Sequence, residues 1–114
     1  ILKEVFKASE KLAEDNINIE IIDLRTVRPL DIDTIINSVK KTNRLVILEE
    51  AWPFGNVSTE ITYQVQNKAL DYLDAPIIKI NTADTPTPYS PVLLKEWLPN
   101  YNDVIKAVNK VLYK

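Results

Sequence analysis

Leu2, Val5, Phe6, Ser9, Leu12 and Ala13 fall at three- and four-residue spacing to make a mostly apolar stripe, with Lys3, Glu4, Lys7, Glu10 and Lys11 on the opposite side. That period predicts an amphipathic helix closing near Glu14-Asp15-Asn16. The pattern then changes from Ile17 to Leu24, rich in β-branched isoleucine and apolar on both alternating faces in its second half, which predicts a strand covered on each side. Arg25 to Pro29 turns the chain, and Asp31 caps a second helix whose Ile32, Ile35, Ile36 and Val39 form the inward stripe. Lysines gather at its C-terminal end, where they complement the helix dipole, and Asn43 ends it.

Leu45 to Leu48 predicts a second buried strand, delivering Glu49 and Glu50 to a loop that holds Trp52, Pro53, Phe54 and Gly55. Asn56 is read as another helix cap. Val57, Ile61, Val65 and Ala69 then repeat every four residues, until the proline of Leu73-Asp-Ala-Pro76 pushes the chain toward extended geometry. Pro76 to Ile80 is a third predicted strand. Three prolines between Asn81 and Pro91 predict an ordered loop, followed by a short turn of helix from Val92 to Leu98. Asn100 or Asn102 caps a last helix, where Val104, Ile105, Val108, Val111 and Leu112 form a stripe that docks on the sheet.

Helices alternating with strands imply parallel strands joined by right-handed crossovers, with helices on both faces. The predicted fold class is therefore α/β, a three-layer α/β/α arrangement around a mainly parallel sheet. The length of 114 residues suits one domain spanning residues 1–114, and no repeat or linker divides it. Ile1 opens directly onto the helical pattern without an initiator methionine or a capping residue, so the sequence is read as a piece of a longer polypeptide.

Composition narrows the chemistry. Cysteine and histidine are both absent, which removes thiolate nucleophiles, disulfides, imidazole bases and the usual nitrogen or sulfur metal ligands. A net charge of −2, with both signs interspersed, offers no basic face for nucleic acid, and no apolar run reaches the roughly 20 residues of a membrane helix. No catalytic, cofactor-binding or metal-ligating residue is assigned within the chain, and neither nucleic acid nor membrane is expected as a partner.

Arg25 and Arg28, beside Pro29, have two readings. They form a bidentate clamp for an anion at the end of a strand, or they serve turn structure and interface pairing. The second is favoured, because no glycine-rich phosphate loop accompanies them. Glu49 and Glu50 do not suit an acid–base pair, since neighbours on a strand face opposite ways. Trp52 and Phe54 are either local core or anchors against another subunit.

Four segments then carry a resemblance: Asp23-Leu-Arg-Thr-Val-Arg-Pro-Leu-Asp31, Glu49-Glu-Ala-Trp-Pro53, Leu73-Asp-Ala-Pro76 and Thr85-Pro-Thr-Pro-Tyr89, in that order. Together, across essentially the whole chain, they resemble the C-terminal transketolase-like domain of the beta subunit in thiamine diphosphate-dependent 2-oxo acid dehydrogenases. Leu-Asp-Ala-Pro and Thr-Pro-Tyr are closer to the pyruvate branch than to the branched-chain one. The alternatives are the equivalent domain of a branched-chain enzyme, a transketolase or a deoxyxylulose phosphate synthase, and a stand-alone binding module.

The resemblance implies that thiamine diphosphate and magnesium belong to the full enzyme and are not bound by this piece. It implies an alpha subunit, a second beta subunit and the peripheral subunit-binding domain of a dihydrolipoyl acetyltransferase as partners, in a bacterial cytoplasm or mitochondrial matrix. By resemblance, Asp74 and a terminal carboxylate on Lys114 would receive basic residues of that binding domain. The bland reading of Asp74 is an ordinary helix-ending turn, and the lysine cation at 114 would oppose a basic partner. The resemblance further implies that two strands before the first helix are missing, one of them central, so that Ile17–Leu24 should border a gap.

Overall fold

The computed structural model describes residues 1–114. Its elements run α1 (Leu2–Glu14), α2 (Ile32–Thr42), β1 (Val46–Leu48), α3 (Val57–Ala69), β2 (Ile78–Ile80), α4 (Pro91–Trp97) and α5 (Tyr101–Val111), with a 3₁₀ turn at Leu70–Tyr72. β1 and β2 pair in parallel, in the register Val46 with Ile78, Ile47 with Lys79 and Leu48 with Ile80.

Two apolar cores lie on opposite faces of this pair. On one, Ile35, Ile36 and Val39 of α2 mesh with Ile61, Val65 and Ala69 of α3, and Ile47 packs against them. On the other, Ala8 and Leu12 of α1 meet Val104 and Val108 of α5, joined by Leu48 and Ile80. Consecutive residues Ile47 and Leu48 thus feed different cores, the alternation that extended backbone imposes. The result is the expected α/β/α layering, with the parallel strands covered on both sides.

The helix ends explain their own positions. Asp31 accepts hydrogen bonds from the Thr34 amide at 3.3 Å and the Thr34 hydroxyl at 2.6 Å. At the other end of α2, Asn43 takes the left-handed conformation at φ +66° and its amide bonds the Val39 carbonyl, closing the helix as asparagine does when glycine is absent. Asn100, one of the two residues proposed for the last cap, fills it: its side chain accepts from the Asn102 and Asp103 amides, and Asp103 accepts from the Asn100 amide in return.

Ile17–Leu24 departs from the prediction. The segment is not a strand, and no backbone–backbone hydrogen bond involves Asn18 to Leu24. Its side chains still alternate as a strand's would, Ile17 and Ile19 entering the α1/α5 core and Ile22 and Leu24 the α2/α3 core. The physical reason is a gap. A cavity of about 490 Å³ is lined both by this segment and by Leu45–Leu48, and 20 of its 27 lining residues are hydrophobic, so polar groups there find few partners. Burial pattern specifies a strand, but a ladder also needs a neighbour within reach.

Smaller corrections concern boundaries. The strands begin at Val46 and Ile78 instead of Leu45 and Pro76, and α4 begins one residue earlier, with Pro91 in its first turn. A proline there loses nothing, because the first-turn amides have no intrahelical partner. Asn56 precedes α3 but makes no capping bond with its side chain. A more distant residue, described below, does that work.

Amides of Ile19 to Leu24 will exchange with solvent deuterium faster than those of β1 and β2, a difference that hydrogen-exchange mass spectrometry or NMR resolves. Asn100→Ala is expected to lower stability by about 1 kcal/mol through loss of the reciprocal cap, measured by urea unfolding. The Thr34 hydrogen bonds hold the Asp31 carboxyl below its ordinary pKa, and those of Ser38 and Lys41 do the same for Glu20. Because both are lowered on folding, their stabilisation is complete above the ordinary carboxylate range and is lost as pH falls below about 4. Asp31→Asn together with Glu20→Gln should flatten that part of a stability–pH curve.

Candidate functional site

The parallel register decides which residues meet at each end of the strand pair. Because Leu48 pairs with Ile80, the residues that follow, Glu49 and Asn81, lie side by side. Glu49 accepts from the Asn81 side-chain amide at 2.8 Å, from the Ser58 amide at 3.3 Å and from the Ser58 hydroxyl. Ser58 is completely buried in the first turn of α3. Glu49 is therefore the side chain that caps α3, and its negative charge suits the positive end of the helix dipole. Glu50 is exposed and takes no part, which agrees with reading the two glutamates as structural.

The loop after Glu49 is tied down at several points. Trp52 donates its indole N–H to the Thr85 carbonyl at 2.8 Å, and Trp97 of α4 donates to the same oxygen at 3.0 Å. Lys79 of β2 reaches back to the Pro53 carbonyl and the Thr59 hydroxyl at 2.8 and 2.9 Å. Gly55 turns the loop at φ +67°, a conformation in which side chains are strained. Its tip carries Phe54, 89% exposed, beside the half-exposed Trp52. Of the two predicted alternatives, Trp52 divides between local packing and surface, and Phe54 is wholly surface.

The opposite end of the strand pair brings together residues from three elements. Arg44, just before β1, donates from Nε to the Val111 carbonyl at the end of α5, at 2.9 Å. Its Nη1 lies 3.9 Å from an oxygen of Asp74, just before β2. The Asp74 amide bonds the Asn43 carbonyl at 2.8 Å, and its carbonyl accepts from the Tyr113 hydroxyl at 3.3 Å. Tyr113 has φ +59°, and the Tyr113 and Lys114 amides bond the Lys110 and Asn109 carbonyls. That bond pair with a left-handed residue is a Schellman turn. It leaves Tyr113 placed so that its hydroxyl reaches the Asp74 carbonyl. The Asp74 carboxylate itself stays more than half exposed and accepts no hydrogen bond within the chain.

The Asp23–Asp31 turn stands apart from both ends. Arg25 is 3.9 Å from Asp23 with most of its side chain in solvent, and Arg28 and Pro29 are exposed. The Arg28–Pro29 peptide bond is cis, and Val27 and Leu30 form a single bridge across the turn. No cluster of three or more aspartate or glutamate side chains is placed to hold a metal ion. What the arrangement offers is surface: an exposed carboxylate that accepts no hydrogen bond within the chain at one end of the strand pair, and an aromatic tip at the other.

Sequence reasoning missed Arg44, Tyr113 and the Glu49–Ser58–Asn81 cluster. The Arg44–Val111 bond spans 67 positions and has no local signature. The parallel pairing of Glu49 with Asn81 was recoverable only from the strand register.

A family model for the C-terminal domain of transketolase matches residues 1–104. The chain belongs to this family. It is 52% identical over 112 residues to the pyruvate dehydrogenase E1 component subunit beta of Rickettsia bellii, covering 98% of this chain and 34% of that protein. Identity is 39% over 112 residues to the same subunit of Bacillus subtilis, again 98% of this chain and 34% of the relative. The mitochondrial subunit of Dictyostelium discoideum is 41% identical over 111 residues, 97% of this chain and 31% of the relative. The chain thus spans about a third of these family members, which are bacterial or mitochondrial. Among solved structures, a split-gene transketolase in an inactive beta4 tetramer superposes with a TM-score of 0.83 at 21% identity, over 97% of this chain and 36% of that one. That likeness shows the shared transketolase C-terminal fold. No helix is long and apolar enough to cross a membrane.

Glu49→Ala leaves Ser58 and Asn81 without their acceptor, so it is expected to destabilise the domain by about 1–3 kcal/mol, more than Glu50→Ala, which should be near neutral. Paired denaturant titrations of the two variants check this.

Proposed function

We propose that this domain is the assembly and partner-binding part of a pyruvate dehydrogenase beta subunit, supporting oxidative decarboxylation of pyruvate and acetyl transfer to lipoyl groups. The observation that carries the reading is identity of about half with such beta subunits along nearly the whole chain, joined to an exposed Asp74 carboxylate that faces Arg44 only at 3.9 Å. In this reading thiamine diphosphate and magnesium act in the complete enzyme. Other parts of the enzyme hold them.

Asp74 receives basic side chains of the acyltransferase's peripheral subunit-binding domain, through charge-assisted hydrogen bonds at an interface, and Lys114, the neighbour of Tyr113, belongs to the same contact surface. Phe54 and Trp52 are anchors against the alpha subunit or the second beta subunit, where buried aromatics dominate interface energetics. Arg25, Arg28 and Pro29 form a second contact surface, since neither arginine is engaged strongly within the chain.

The test is binding of an isolated peripheral subunit-binding domain to the assembled enzyme by calorimetry at two salt concentrations. Salt-sensitive binding that falls roughly tenfold or more in Asp74→Asn is expected. Absence of binding by the unaltered assembled enzyme would overturn the assignment in favour of a thiamine enzyme without an acyltransferase partner, such as a transketolase.

A further inference from the structure

The structure assigns Arg44 as a positioning residue for the Asp74 corner, a role that rests on the partner-binding reading just given. Three observations support it. The guanidinium Nε is committed to the Val111 carbonyl, one of the carbonyls at the end of α5 that has no partner within the helix. Its Nη1 stands 3.9 Å from the Asp74 carboxylate, beyond hydrogen-bond length, so the charge orients Asp74 without occupying either oxygen. Tyr113, two residues beyond Val111, carries its hydroxyl to the Asp74 carbonyl.

These contacts form a closed circuit. Asn43 and Arg44 precede β1, Asp74 precedes β2, and Val111 and Tyr113 end α5. The Asp74 amide to Asn43 carbonyl bond closes the two strand entrances on each other, while Arg44 and Tyr113 fasten the end of α5 to both. Arg44 is the member that touches two of the three elements through its side chain, and only 31% of that side chain is exposed. A planar guanidinium can donate from Nε in one fixed direction while its Nη charge faces another, whereas a lysine ammonium is a single point charge that cannot serve both sites in one geometry. A cationic partner then meets a carboxylate whose backbone is fixed on both sides, and the ordering of the corner is complete before the partner arrives.

Arg44→Lys keeps the charge and removes the two-directional geometry. In the assembled enzyme it should weaken binding of the peripheral subunit-binding domain about five- to tenfold, the loss of one charge-assisted hydrogen bond, with the salt dependence unchanged. Tyr113→Phe removes only the hydroxyl. If both side chains act through one circuit, the Arg44→Lys/Tyr113→Phe double variant will bind no more weakly than the worse single variant by a factor above about two. Wild-type affinity in Arg44→Lys, or fully additive losses in the double variant, would overturn the assignment.

Amide exchange at Tyr113 and Lys114 in the partner-free enzyme separates this idea from the reading beneath it. Faster exchange there in Arg44→Lys supports the positioning role even if Asp74→Asn binds normally, an outcome that would sink only the partner site. Unchanged exchange at both amides would overturn the role of Arg44 whatever the partner does.

Discussion

A parallel strand pair covered on both faces concentrates its polar chemistry at its two ends. Here the pair is three residues long on each strand, so one short ladder sets two corners of the molecule. Most side chains along β1 and β2 are committed to the two helical cores by alternation, Ile47 to one and Leu48 to the other, and Lys79 is the exception, bonding the Pro53 carbonyl and the Thr59 hydroxyl. The other polar contacts around the strand pair come from residues that flank it. Arg44 and Asp74 share one end for this reason, and Glu49 and Asn81 share the other.

The two ends solve different problems. At the exit, a carboxylate must be brought beside the buried first turn of α3, and it is tolerable there because three donors face it. At the entrance, a carboxylate is left open, held by its backbone instead of its oxygens. Full satisfaction makes the first a structural joint. Incomplete satisfaction makes the second a place where another molecule can add to the hydrogen-bonding of this one. The contrast between Glu49 and Asp74 lies in their neighbours: Glu49 adjoins β1 and faces the first turn of α3, whereas Asp74 lies four residues before β2, beside the end of α5.

Much of the architecture could be read from the chain, because helix stripes and caps are local. The stripes of α2 and α5, the Asp31 cap and the terminal asparagine of α2 all follow from spacing within a few residues. Asn100 was recoverable as a cap from its position, although the reciprocal bond from Asp103 shows why it wins over Asn102. Asn56 was not: it sits where a cap should, yet Glu49 seven positions earlier takes the task, because the strand ends pointing at α3. Ile17 to Leu24 illustrates the complementary limit. Its residues specify burial on both sides and the structure delivers that burial, while hydrogen bonding depends on a second backbone that no property of the segment itself supplies. The aromatic loop was legible as a feature but not as a division of labour, since exposure of Phe54 and anchoring of Trp52 depend on where the Thr85 carbonyl falls.

That carbonyl has a spectroscopic meaning. The chain contains two tryptophans, Trp52 and Trp97, and both indoles donate to the single oxygen of Thr85. Indole emission from this domain is consequently a local signal: it reports whether the 81–91 loop is seated between the β1 exit loop and α4. The cores around Leu12 and Val65 are optically silent at those wavelengths. A change in tryptophan fluorescence would therefore register the docking or release of that loop while the two hydrophobic cores stay intact.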